Sequence, residues 1–496
     1  MPALKQPKRR EPTQNASKNL WFTALLPFLL TLLFYLPVLA GGFLNWDDPA
    51  YITHNPNIRG WTLPHLHWML TNEGAGFWIP LTWFSLSLDY FIGGLSPFVY
   101  HLHNLLLHLI NVLLVFATSL RLLEQAEKNE KNGGAPPWAI PAATLCALLF
   151  GLHPLRVESV AWASERKDVL SGLFFLTAIW FYLGTSKRSG WRGWPLRACF
   201  ACFLLSFAAK PMAASLPLVL LLLDPWPLRR PLKNLPFFLL EKLPFLVPVL
   251  VEVFFLVLSI PSGGALAASH IFSLDTRLAN AIHSVALYLT KTAVPVGLYP
   301  FYPFPQNSDL LSPGHCAAVI ALLLISYACF HWRAQKPGLG LAWLYFLATL
   351  APALGLIQSG SQAAADRFTY LPSLGPLLLL SASLAKTLLP RRKKIFWAAF
   401  FLSAVLLGGM TIRQISFWKN DVSFWERLAQ GDPGEPAPRF SLVQAYAESG
   451  RRLEALAECD KALALFPKDQ PLLWARGILS MGDEKMRESL ESIKEK

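Results

Sequence analysis

Charge is scarce in this chain: Lys, Arg, Asp and Glu supply 15% of its 496 residues, against about 25% in soluble domains. That shortage excludes an ordinary soluble fold. With 53% apolar residues and a mean hydropathy of +0.38, the solvent is lipid. Glycine motifs of the G-x-x-x-x-G-K type are missing, which argues against nucleotide chemistry on the short basic loops. Cysteine is sparse as well. Cys146, Cys199, Cys202, Cys316 and Cys329 lie in apolar segments and Cys459 has no evident partner, so no disulfide framework is implied. Cys199 and Cys202 have C-x-x-C spacing but no second pair, and read as small residues packing a helix. No zinc spacing of the H-E-x-x-H kind occurs.

What the chain does have is long apolar runs, the first being residues 20–40, of the roughly 20 residues a helix needs to cross a bilayer. Candidate spans are 20–40, 100–123, 138–153, 169–185, 195–209, 212–224, 243–260, 315–332, 338–356, 374–389 and 395–412. The expected fold is therefore an all-α polytopic membrane protein with about 11 transmembrane helices. The first run follows a basic leader but is too long for a signal-peptide core and lacks a clear cleavage site, so it reads as an uncleaved span. Basic loops then follow the even-numbered spans: "KRSGWRG" from Lys187, "RRPLK" from Arg229, "RAQK" from Arg333 and "RRKK" from Arg391. By the positive-inside rule this puts the leader, 1–19, in the cytosol. The transmembrane domain is 20–412, with a large outer loop at 41–99, and the tail, 413–496, lies outside. The net charge of +13 is accounted for by such loops, and no nucleic-acid partner is expected. Residues 278–300 are apolar but carry Lys291 ahead of "YPFYPFP", which suggests a helix lying in the outer interface.

The tail changes character. Charge rises, and Pro433 and Pro467 stand 34 residues apart, the period of a tetratricopeptide (TPR) repeat. Leu442, Tyr446, Ala455 and Ala462 then fall on consensus positions. About three repeats are needed for independent stability, so this short array should lean on the membrane domain or on a protein partner.

Four clusters of polar residues map to the outer side, where they cost free energy unless paired or used. Asp47-Asp48 in "GGFLNWDDPAYITHNP" is the first: adjacent carboxylates near an apolar surface make a capable general base, while Asp-Pro also starts turns and caps helices. His54, His65 and His67 share that loop and leave a divalent metal ion open. The second is "HPLRVESVAWASERKD", where Arg156, Arg166 and Lys167 interleave with His153, Glu158, Glu165 and Asp168. Cations there suit the phosphate of a lipid-linked substrate, and the alternative is a self-neutralising turn. The third is the stripe His101, Asn104, His108 and Asn111 on one face of the second span, read as interhelical hydrogen bonding in preference to substrate contact. The fourth is "ADRFTYLPSLG", with Asp366, Arg367 and Tyr370, and Lys210 stands alone at another outer turn. Convergence of such groups from distant loops is the pattern of an outward-facing active site.

These same segments, "WDDP", "PLTWFSLSLDY…HLHNLLLHLIN", "HPLRVESVAWASERKDVLS" and "DRFTYLPSLG", resemble those of the transmembrane-and-TPR O-mannosyltransferase family of GT-C glycosyltransferases, in a bacterial form with a short repeat array. The resemblance implies inverting transfer of a sugar, a hexose such as mannose, from a polyprenyl-phosphate carrier to a hydroxyl acceptor on protein or glycan at the non-cytosolic face of a bacterial plasma membrane. It places an acidic residue of the first outer loop, Asp47 or Asp48, at the catalytic centre. It also puts His153, Glu158, Asp168, Asp366 and Arg367 on family motif positions. In that reading Arg156, Arg166 or Lys167 would stabilise the leaving phosphate. The alternatives are a transporter or lipid-sugar flippase, prompted by the intramembrane His/Asn stripe, and a membrane-anchored scaffold without catalysis.

Overall fold

The computed structural model describes residues 14–72, 77–127, 136–185, 190–258, 273–304, 312–356 and 362–481. The leader through residue 13, the last two residues of the 243–260 span, and the tail beyond 481 lie outside the described residues.

Apolar runs of this composition have no use for an open sheet, because lipid cannot hydrogen-bond a free backbone. The chain accordingly builds helix after helix. The first, α1, is Gln14–Tyr35, and the loop after it carries two short helices, α2 (Leu63–Thr71) and α3 (Pro80–Gly93). Long α4 (Pro97–Glu127) leads to α5 (Ala139–Gly151), α6 (Val157–Ala161) and α7 (Arg166–Tyr182). Next come α8 (Trp194–Ala209), α9 (Leu216–Leu223), α10 (Leu235–Leu258) and α11 (Leu274–Ala293). The membrane part closes with α12 (Pro313–His331), α13 (Pro337–Leu350) and α14 (Leu374–Phe417). Four of the described helices are long and apolar enough to cross a membrane, or five if α5 and the segment after it, bent by 56°, count as one. This is an all-α integral membrane protein.

All eleven expected spans fall on these helices, the last two on the two halves of α14 either side of a break. α14 is 44 residues long, with a non-helical residue at Arg392, two residues after Pro390. Proline removes a backbone donor and crowds the preceding turn. The chain reverses there: Ser373, at the start of α14, takes a hydrogen bond from Arg156 Nη2 (2.7 Å), while Thr411 Oγ1, near its end, donates to the carbonyl of Leu152 (2.8 Å). Both ends of α14 thus meet the α5–α6 turn. Glycine permits the closest helix contacts. A Cβ on Gly151 would meet Thr31 Oγ1 at 2.4 Å, and one on Gly172 would meet Tyr370 at 2.8 Å.

The segment expected at the outer interface is amphipathic α11. Its buried residues include Ala281, Val285, Tyr288 and Thr292, the three- and four-residue spacing of one helical face. That face covers β2 (Gln362–Ala364), which pairs antiparallel with β1 (Tyr302–Pro303). Asn280 Nδ2 donates to the Ala363 carbonyl (2.9 Å), and Ala365 N donates to Tyr288 OH (3.0 Å).

Four tail helices follow, α15 (Asp421–Gly431), α16 (Pro436–Glu448), α17 (Arg452–Leu465) and α18 (Gln470–Ser480). Of these, α16–α18 pack around Val443, Ala455, Cys459 and Leu472, while Phe424 and Leu428 of α15 join the core of the membrane part, and α18 begins 34 residues after α16. The tail does lean on the membrane part. Trp425 stacks on Trp46 (5.4 Å, 11°), and Arg427 donates to the carbonyl of Leu298 (2.8 Å).

Candidate active site

Asp47 and Asp48 follow a loop pinned at two points to the start of the tail. Gly42 N donates to the Lys419 carbonyl (2.9 Å), and Asn45 N donates to Asp421 Oδ1 (2.6 Å). Asp48 is fully buried. It precedes the helical turn Pro49–Thr53 without capping it. Its carboxylate accepts instead from Leu44 N (2.8 Å) and Ser164 N (3.0 Å). Burial pushes its pKa up to about 6, with those two N–H donors working against the rise. Asp47 is only half-buried. Its side chain lines a cavity of about 340 Å³ between this loop and helices α15 and α16, together with Trp46, Asp421, Trp425, Gln444 and Glu448. Burial raises its pKa, Lys167 lowers it and Glu165 raises it again.

Behind Asp47 the second cluster condenses with Lys210 and the fourth cluster into one ion network. Glu165 takes Lys210 Nζ (2.8 Å) and Lys167 Nζ (3.2 Å), with Arg367 Nε at 3.7 Å. Asp168 takes the same Lys210 (2.6 Å) and the hydroxyl of Ser159 (3.0 Å). Glu158 accepts from both the backbone N–H (2.8 Å) and the guanidinium of Arg367. Asp366 accepts from Tyr302 OH (2.8 Å). Burial would lift Glu165, but Lys167, Lys210 and Arg367 together hold it below its ordinary range. Asp366 goes the other way: burial, then the charge of Glu158, raises it well above the carboxylate range. Lys167 keeps its charge through Glu165 despite its burial, and its ammonium lies over the Tyr51 ring at 4.6 Å.

The other expected residues are placed differently. Arg166 is completely enclosed and bonded to Asp89 (2.5 Å), the Tyr100 carbonyl (2.9 Å) and Asn104, tying α3, α4 and α7 together. Arg156 is also enclosed: one nitrogen reaches Ser373, Nε and Nη1 have no hydrogen-bond partner among the described residues, and the guanidinium lies over the rings of Phe150 (5.2 Å) and Tyr370 (5.5 Å). Neither guanidinium faces the cavity beside Asp47, because each serves helix packing. The stripe on α4 is likewise spent on hydrogen bonds to neighbouring helices and turns, with His108 Nε2 at the Gly151 carbonyl of α5 (3.1 Å) and Asn111 Nδ2 donating to the Val169 carbonyl of α7 (2.8 Å). His101 meets the Gly42 carbonyl (3.2 Å), Asn104 donates to the carbonyl of Trp162 (3.1 Å), and His108 and Asn111 share Tyr370 OH (2.9 Å each). His153 Nε2 contacts the Thr292 carbonyl (3.0 Å). His54 and His67 are exposed and His65 bonds Thr62, and no group of three or more His, Cys, Asp or Glu among the described residues is arranged to hold a metal ion.

Two features escaped the sequence reading. One is Asp89, the buried partner of Arg166 and His103. A second buried network, with Asp224 and Glu241 bonded to Arg230 and Lys242 at 2.7–3.2 Å, lies at the opposite ends of the helices. Its acids stand in runs of leucine and proline, where spacing gives no sign of a partner.

Fold and cluster together define a class: an all-α polytopic integral membrane protein with a buried network of acids and cations at each end of its helices. Among known proteins the chain is similar to protein O-mannosyl-transferases of the TMTC type. It is 33% identical over 183 residues to Tmtc2 of Drosophila melanogaster, covering 35% of this chain and 18% of that protein. It is 31% identical over 164 residues to human TMTC4, covering 31% of this chain and 22% of the relative. Human TMTC2 matches at 31% over 199 residues, 36% of this chain and 22% of its own length. The chain thus spans about a fifth of the length of these relatives. No protein-family profile matches it, and no solved structure does.

Proposed function

We propose that this protein is a membrane glycosyltransferase that moves a hexose, mannose by analogy with its O-mannosyl-transferase relatives, from a polyprenyl-phosphate carrier to a hydroxyl on protein or glycan. The reading is supported by the half-buried carboxylate of Asp47, set in a cavity wall beside Lys167 and the Glu165–Arg367 network. Asp47 rather than Asp48 is the base, since both Asp48 oxygens are taken by backbone donors while Asp47 borders open space. In the reaction Asp47 takes the proton of the acceptor hydroxyl. The oxygen then attacks the anomeric carbon from the face opposite the phosphate, and the carbon–phosphate-oxygen bond breaks with inversion. Lys167 and Arg367 neutralise the phosphate that leaves on its lipid. The groove of Trp46, Asp421, Trp425, Gln444 and Glu448 would hold the acceptor, with the tail, read as a TPR array, as its far wall. The site then faces the periplasm of a bacterial inner membrane, with the basic loops in the cytosol.

Asp47→Asn should abolish transfer to acceptor in membranes supplied with polyprenyl-phosphate mannose, while the purified variant keeps the wild-type melting curve. Undiminished transfer would overturn the assignment. In the wild type the base must be ionised, so the rate falls as pH drops through a pKa above the ordinary aspartate value of about 3.9.

A further inference from the structure

At the ends of α4 and α7 remote from Asp47 lies a larger cavity, of about 950 Å³, near the top of the about 300–1,000 Å³ range of small-molecule sites. Leu122, Leu176, Val219, Leu341, Leu378 and Ala382 make its walls apolar. Its rim is not. Arg229, Lys336, Lys386 and Glu127 stand there with Trp138, Trp226 and Trp332. Lys386 lies over Trp138 at 4.3 Å and pairs with Glu127 (2.5 Å), while Lys336 lies over Trp332 at 5.7 Å.

From this arrangement we infer that the cavity is a binding site for an anionic glycerophospholipid of the surrounding leaflet, with acyl chain inside and phosphate on the cationic rim. An apolar hollow of this size is poor solvent for water, which needs polar partners, whereas a lipid chain fills it. Tryptophans concentrate at the headgroup level of membranes, so the ring of three marks where the phosphate would lie. Three cations against one carboxylate favour an anionic headgroup, as juxtamembrane Lys and Arg do. The occupant is not the sugar donor. Glu127 is 23 residues beyond Asn104 on α4, about 35 Å along the helix at 1.5 Å per residue, so a phosphate on this rim is far from Asp47. The site stands whether or not the transferase reading does.

The test uses the full-length protein in nanodiscs of phosphatidylcholine mixed with phosphatidylglycerol. Native mass spectrometry and lipid extraction follow stepwise delipidation in detergent. The wild type should retain phosphatidylglycerol about tenfold over phosphatidylcholine. Lys336→Glu with Arg229→Glu should erase that preference, and Ala382→Trp, which fills the hollow from an apolar wall, should lower retention of any phospholipid by a similar factor. No preference in the wild type, retention unchanged in Ala382→Trp, or recovery of a polyprenyl phosphate in place of phospholipid would overturn the proposal. The wild-type arm decides even if a variant fails to fold.

Discussion

Between Asp47 and Asp48 the chain enters the Pro49–Thr53 turn, and the two carboxylates leave it toward different surroundings. Asp48 goes inward onto Leu44 N and Ser164 N, and Asp47 stays at the cavity wall. The sequence could name the pair but not divide it, because the donors of Asp48 include a backbone group 116 positions away. The division carries a pH signature. Asp48 titrates near 6 in the fold and near its ordinary value of about 3.9 when unfolded, so the native state holds the proton more tightly. Stability contributed by that proton is complete below about pH 4 and is lost as pH rises through about 6. Asp48→Asn, which keeps the uncharged form and does not titrate, removes this pH dependence, worth on the order of 3 kcal/mol. The melting temperature of the wild type should therefore fall relative to that of the variant as pH rises from about 4 to 7. Parallel curves would refute the assignment.

Helices set the scale at which Arg166 matters. The residue starts α7 yet holds α3 through Asp89 and α4 through Asn104 and the Tyr100 carbonyl. Breaking one side of a buried ion pair leaves an uncompensated charge and costs about 3–5 kcal/mol. Arg166→Met should destabilise by roughly that amount, and adding Asp89→Leu should restore most of the loss, since an apolar pair replaces an ionic one at little cost. A double-mutant cycle of unfolding in detergent measures it, and additive losses would show that the pair does not act as a unit. At this scale much was legible. The apolar runs marked where the helices fall, and the three- and four-residue spacing on α4 marked the hydrogen-bonded stripe. The reach of Arg166 was not, because its pattern within "SERKD" is that of a solvated turn.

As a whole molecule, the protein carries a buried acid–cation network at each end of its helices. Arg229, Lys336 and, on α14, Lys386 gather at one end with the Asp224–Glu241 network. The network around Glu165, the Asp47 loop and the tail gather at the other. Docking of the tail completes the Asp47 cavity, with Trp46 against Trp425 and Phe424 and Asn45 against Asp421. Buried aromatic contacts of this kind dominate interfaces. Trp425→Ala should therefore speed protease cleavage near residue 420 by about tenfold and reduce sugar transfer, leaving the melting of the membrane part unchanged. Equal cleavage rates would mean the stack does not hold the tail.

The amino-acid order alone determined the solvent, the helical class, the basic-loop alternation and the residue types available for acid–base and phosphate chemistry, because composition and short periodicities act locally. Which carboxylate faces open space, which guanidiniums are spent on packing and where the tail closes the groove were decided only by contacts between segments as much as 376 residues apart. Burial and partner charge, the two terms that set a side chain's chemistry, arise from those contacts and have no local trace.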